Sequence, residues 1–239
     1  MPEHITRKEL KQDKIKETFE HGAEAVFSHR SVTLIVLLVI LVIVSTWSGW
    51  RIYTDRQAVH ASAAFNDAMK VYSARIGVAD PSQPGEPAFP DEASRSNAAQ
   101  QKFARVADKY SHNYYGRLAR YYSALCLEDG ERLNQALEEL KRISDTGDAE
   151  ITAISQYQTA VIYARTGKTD DAVKIYRALA DRQSVLVPRP MVLLELANTL
   201  RTSNPTEALK VYEQVKREFP NTAIGEEADK GMSTISPKS

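Results

Sequence analysis

The sequence predicts an all-α protein in which one membrane-crossing helix is followed by an α-solenoid of helical hairpins. Three observations carry that reading. Residues 32–50, VTLIVLLVILVIVSTWSGW, run nineteen positions without a charge. From Ala99 onward the pattern A-x3-[F/L/Y]-x2-[V/I/L] occurs four times, at intervals of 37, 36 and 36 residues. Residues that end helices or reverse the chain, Gly130, Gly167 and Ser203, stand five or six positions ahead of the last three copies.

Composition narrows the function classes. The 239 residues hold 31 Lys+Arg and 31 Asp+Glu, so no basic excess points to nucleic acid. A single cysteine, Cys126, excludes an internal disulfide, a thiolate zinc site and a CxxC redox pair. Its setting, SALCL, reads as a helix face, on which Cys126 is a buried small hydrophobe.

The first segment, residues 1–31, is a tail with a short amphipathic helix. Thr6 and Glu9 form a capping box, Ile5 and Leu10 its hydrophobic staple, and Ile15, Phe19, Ala23 and Val26 then make a narrow apolar stripe. Residues 32–50 are the span. Nineteen residues at ~1.5 Å each cover about 28 Å, close to the hydrocarbon thickness of a bilayer. Arg30 and Arg51 bracket it, and Trp47, Trp50 and Tyr53 gather where amphipathic rings sit at headgroup level. Ser45 and Gly49, four apart, are small enough for close approach of another helix. The apolar run is longer than a signal-peptide core and lacks a nearby small-residue cleavage site, so the reading is an uncleaved anchor. Six Lys and Arg in residues 1–31 against three in residues 51–70 place the tail in the cytoplasm and the domain outside.

Residues 51–92 form a membrane-exit helix and a proline-rich loop. Phe65, Met69, Tyr72 and Ile76, with Val59 and Ser62 behind them, predict a helix over 56–76 that packs on the first repeat. Pro81, Pro84, Pro87 and Pro90 fall three apart, on one side of a polyproline II path, and read as a surface insertion.

Residues 93–239 are the repeat domain with a C-terminal closing helix. The copies are Ala99-Phe103-Val106, Ala136-Leu140-Ile143, Ala172-Tyr176-Leu179 and Ala208-Tyr212-Val215. Each alanine lets the second helix of a hairpin approach the first, and the large residue one turn on fills the gap between neighbours. In the middle hairpin, Ala160 and Tyr163 precede Gly167 by seven and four residues. This pattern resembles tetratricopeptide repeats, helical hairpins of about 34 residues. It departs from them in one extra residue between Gly130 and Ala136 and in Leu196, where a small residue is usual. EFPNT at 218–222 ends the last repeat, and IGEEADKGMSTI reads as the closing helix.

Signatures of catalysis are missing. There is no Walker loop, G-x-G-x-x-G, HExxH or G-x-S-x-G, and the five histidines have no metal-ligand spacing. The expectation is a non-enzymatic protein with no cofactor, no metal, no small-molecule substrate and no nucleic acid partner. Stacked hairpins instead offer an extended surface for proteins. The first helices of the pairs carry Tyr121, Tyr122, Tyr157, Val161 and Leu193 as candidate groove residues. Tetratricopeptide domains that hold a terminal carboxylate use Lys, Arg and Asn on these helices, and that set is missing here. An apolar groove suits an unfolded segment or a docked helix.

The whole layout resembles the bacterial YfgM-like family, in which a short cytoplasmic tail, one anchor and a periplasmic tetratricopeptide domain follow one another. The resemblance covers about residues 14–235. It is carried by KETFEHGAEAVFSHR, GWRIYTDRQAVHASAAFNDAMKVY and the alanine-led repeats; the longer tail and the 81–90 insertion depart from the pattern. It implies an inner-membrane accessory of the Sec translocon that meets translocon subunits, a periplasmic chaperone and unfolded exported clients. The alternative is a scaffold coordinating cell division or envelope assembly.

Overall fold

One continuous helix, α1 (Arg30–Tyr72), carries both the uncharged run and the segment after it. The computed structural model describes residues 30–78, 85–144 and 147–235, with backbone only for Arg30, Ser31, Thr33 and Ser144. The tail's capping box and apolar stripe, together with Pro81 and Pro84, lie outside the described residues. By internal contacts the chain divides into two units at Arg56–Gln57.

The first unit is described by the start of α1. Its side chains from Leu34 to Arg56 are exposed, and the helix is long and apolar enough to cross a membrane. Its polar groups are handled locally, as an apolar medium requires. The Thr46 hydroxyl donates back to the Val42 and Ile43 carbonyls at 2.7 and 2.9 Å.

In the second unit the remainder of α1 does more than leave the span. Ala61, Phe65, Ala68 and Val71 are buried against Ala99, Phe103, Val106 and Ala107 of α2 (Glu92–Lys109). Residues 57–72 therefore serve as the first helix of the first hairpin, so the packed stack begins ahead of residue 93. The helix stops short of the expected Ile76. The Ser73 hydroxyl donates to the Met69 carbonyl at 2.9 Å, and the Ala74 N–H turns back to Val71 at 3.2 Å. With the last carbonyls so satisfied, the chain leaves into β1 (Arg75–Ile76), where Ile76 is 44% exposed. β1 pairs in parallel with β2 (Ala88–Phe89), Arg75 facing Ala88 and Ile76 facing Phe89, and this closes the proline-bearing insertion.

Three further hairpins and a closing helix follow: α3 (Tyr114–Asp129) with α4 (Leu133–Ser144), α5 (Ala149–Arg165) with α6 (Thr169–Ala180), α7 (Arg189–Ser203) with α8 (Pro205–Glu218), then α9 (Ala223–Ile235). Side-chain caps mark their starts. Asp91, Asn113, Asp148 and Asn204 accept the N–H groups of Ser94, Tyr115, Ile151 and Glu207, satisfying donors that a first turn leaves free. The turns divide the work differently from the expectation. Gly167 has φ +79, a left-handed position that glycine enters without steric cost. Gly130 stays at φ −84, and the left-handed residue is Glu131 at φ 56, which accommodates the extra residue of that repeat. The turn at Ser203 is made by Asn204 and Pro205, the cap and first residue of α8.

The repeat series forms the core. Ala99, Phe103, Ala136, Ala160, Ala172, Ala208 and Tyr212 are fully buried, with Leu140 and Tyr176 at 1% exposure. At the far end Ala228 joins the same cluster as Tyr212 and Val215, and Ile224, Met232 and Ile235 pack on it, so α9 covers the last apolar face.

Candidate polypeptide-binding surface

Helices α3, α5 and α7 carry the candidate groove residues at a 36-residue interval. The structure does not treat them alike. Tyr121 and Tyr157 occupy equivalent positions and are half-buried, as is Val161 one turn beyond Tyr157. Leu193, the third member of the series, is 4% exposed and lies in the core with Ala197 and Leu200. It presents almost no surface to a ligand. Tyr122 is largely committed to packing. Its ring stacks on Phe103 at 5.3 Å between centroids and meets Phe65 and Tyr72 edge-on at 5.6 Å each. The open part of the face is therefore Tyr121, Tyr157 and Val161, on two successive hairpins.

Both tyrosines on this face stay neutral. Burial pushes the Tyr121 phenol up to about 12, with the neighbouring Tyr122 phenol and Glu128 adding to it. Burial likewise takes Tyr157 to about 12, with Glu195 adding to it. The Tyr157 ring meets Tyr176 edge-on at 5.8 Å, which fixes its orientation. The surface thus offers aromatic faces and neutral O–H groups, a chemistry that suits apolar segments with exposed backbone.

A polar clamp joins the same two helices. Glu128, 8% exposed, accepts from Gln158 Nε2 and Arg165 Nη1, each at 2.5 Å, and so ties α3 to α5. Arg165 also reaches Glu131 at 3.5 Å. Sequence reasoning missed this clamp; its one visible signal is a glutamate closing the apolar run SALCLE. A second polar cluster sits at the next seam. Burial raises the Glu195 carboxyl against the opposing hydrogen bond from Asn198, and Asn198 Oδ1 accepts from the Tyr212 hydroxyl at 2.6 Å.

The membrane-interface candidates all lie on α1. Trp47, Trp50 and Tyr53 are 56–67% exposed, and the Arg51 guanidinium lies 5.6 Å from the Trp47 ring centroid. Arg30 opens the helix. Ser45 is exposed, and a Cβ placed on Gly49 would meet nothing within 4 Å. Among the described residues no group of His, Cys, Asp or Glu is arranged to hold a metal.

Residues 28–183 match the family of tetratricopeptide repeat-like domains, and residues 191–222 match the tetratricopeptide repeat itself. Among solved structures, the chain is similar to the nearly identical TPR-like repeats of kinesin light chain type from Podosopora anserina. The TM-score is 0.53 at 12% identity, covering 74% of this chain and 85% of that one. A point variant of the same repeats matches with a TM-score of 0.54 at 12% identity, over 74% and 84%. Such likeness speaks for the fold alone. By sequence, no curated protein matches. Since well over half of its residues match and its helical pairs stack in register, the chain belongs to the tetratricopeptide repeat-like domain family and is a protein–protein interaction module.

Proposed function

We propose that the chain is a single-pass inner-membrane protein, with its N-terminus in the cytoplasm and its repeat domain in the periplasm, where it serves the Sec translocon. Residues 32–50 form the anchor. Unfolded exported segments bind the face of α3 and α5 weakly and broadly, and a periplasmic chaperone receives them. The observation that carries this reading is the pairing of a membrane-length apolar helix with a half-open face bearing Tyr121, Tyr157 and Val161. Such a face lacks the charged set that would select one terminus or one motif, and an adaptable apolar surface favours breadth over specificity.

The test uses the full chain in its membrane. A photo-crosslinking residue at Val161 should capture translocating chains and translocon subunits, and Y121S/Y157S should abolish capture while the helical spectrum persists. Capture of one folded partner, such as a cell-wall synthase, with no translocating chain would replace this reading by a division or envelope scaffold. A repeat domain that survives protease added from the periplasmic side, yet is digested once the inner membrane is opened, would refute the topology.

A further inference from the structure

The second helices of the hairpins leave a seam between each neighbouring pair, and two of the three seams are closed by ion pairs. Between α2 and α4, Arg120 bridges Asp108 at 3.3 Å and Glu139 at 2.7 Å. Between α6 and α8, Arg177 pairs with Glu207. The middle seam, between α4 and α6, is different. It is an open groove of about 570 Å³ whose apolar floor includes Leu137, Tyr163 and Ile175, all half-buried. Glu138 and Lys141 on one wall, and Asp171 and Lys174 on the other, form no ion pair among the described residues, and all four are exposed.

Their order along the walls is regular. α4 and α6 run parallel, since each is the second helix of its hairpin. In both, the acid precedes the base by three residues, Glu138 before Lys141 and Asp171 before Lys174, and Arg182 follows the end of α6 in the same groove. In the 36-residue register Glu138 and Lys174 stand level across the middle, so the groove runs from Asp171 at the N-terminal end of its walls, through that opposed pair, to Lys141 and Arg182 at the C-terminal end. On α5, the floor residues Gln156, Thr159 and Tyr163 recur at spacings of three and four, while Tyr157 and Val161 lie on another side of the helix. The seam is thus separate from the tyrosine face.

We propose that this seam receives an amphipathic helix of a partner protein, lying antiparallel to α4 and α6, acidic in its first turns and basic in its last. Walls of twelve residues span about 18 Å, so three to four turns of helix fill the length. An apolar stripe at i, i+3/i+4 and i+7 meets the floor, as in other helix-in-groove recognition. Run antiparallel, its acidic start faces Lys141 and Arg182 and its basic end faces Asp171, with Glu138 and Lys174 on either side of its middle. That charge order also suits the helix's own macrodipole.

The probes are two labelled synthetic helical peptides of identical composition and leucine stripe. One has Glu in the first two turns and Lys in the last two; the other is reversed. Fluorescence anisotropy with the full chain in nanodiscs should show the acid-first peptide binding about tenfold more tightly. Because that peptide is also the better helix, the wall charges supply the decisive control. The exposed swap E138K/K141E/D171K/K174E should invert the preference, and Y121S/Y157S should leave it unchanged. Equal affinities, no binding by either peptide, or a preference that survives the swap would overturn the proposal.

Discussion

Replacing Gly231 by Ala in the middle of α9 should destabilise the protein, against the usual sign for a helix interior. Gly→Ala there ordinarily gains about 1 kcal/mol. At this position a Cβ would overlap Tyr212 Cζ and lie 2.6 Å from Cε1 and 2.8 Å from Oη. Ordinary contact begins near 3.4 Å, so the ring would have to retreat by roughly 1 Å in a core this close-packed. Tyr212 has no exposed surface to retreat into, and its hydroxyl is held on Asn198 Oδ1 at 2.6 Å. Overpacking costs ~1–3 kcal/mol and the strained or lost hydrogen bond ~1 more. The net expectation is a loss of ~1–3 kcal/mol. Urea unfolding of the detergent-solubilised chain by circular dichroism measures it, and hydrogen exchange should show the loss concentrated in α9. In the background of Tyr212→Leu, which removes the obstructing ring atoms, the same substitution should become neutral or stabilising. A G231A protein as stable as the parent, or a cost that persists in full in the Y212L background, would refute the steric argument.

Glu128→Ala should cost ~2–3 kcal/mol by stranding Gln158 and Arg165, less than a fully buried pair because the Arg165 side chain is 45% exposed; thermal unfolding of E128A, R165A and the double variant should reveal coupling between the two sites. Phe103→Ala, at a fully buried ring packed on Phe65, Tyr72 and Tyr122, should cost ~3–5 kcal/mol and loosen residues 57–72 first in hydrogen exchange. Burial pushes the Cys126 thiol up to about 12, so the native protein should resist a thiol reagent at pH 8 and react once unfolded. Tyr121 and Tyr157 should ionise near 12 in absorbance titrations that compare the parent with Y121F and Y157F. Because their folded values lie above the unfolded value of about 10, the stability linked to them is complete below pH ~10 and is lost as pH rises toward 12.

Short-range pattern was enough to determine the all-α class, the one long apolar helix and the solenoid of helical hairpins. Each depends on which side chains share one face of one helix, and a spacing of three and four residues states that directly. What a neighbour then covers is a different question. Tyr121, Tyr157 and Leu193 occupy the same place in successive repeats, yet only Leu193 is sealed within the core cluster, while the two tyrosines stay half-buried. Likewise Phe65 reads as an exit-helix residue until Phe103, 38 positions away, is found against it at 5.6 Å. The clamp of Glu128 with Arg165 and the unbridged seam between α4 and α6 belong to the same class. Tertiary structure alone decided them, since burial and ion pairing depend on distances between helices, and periodicity within one helix carries no such distance.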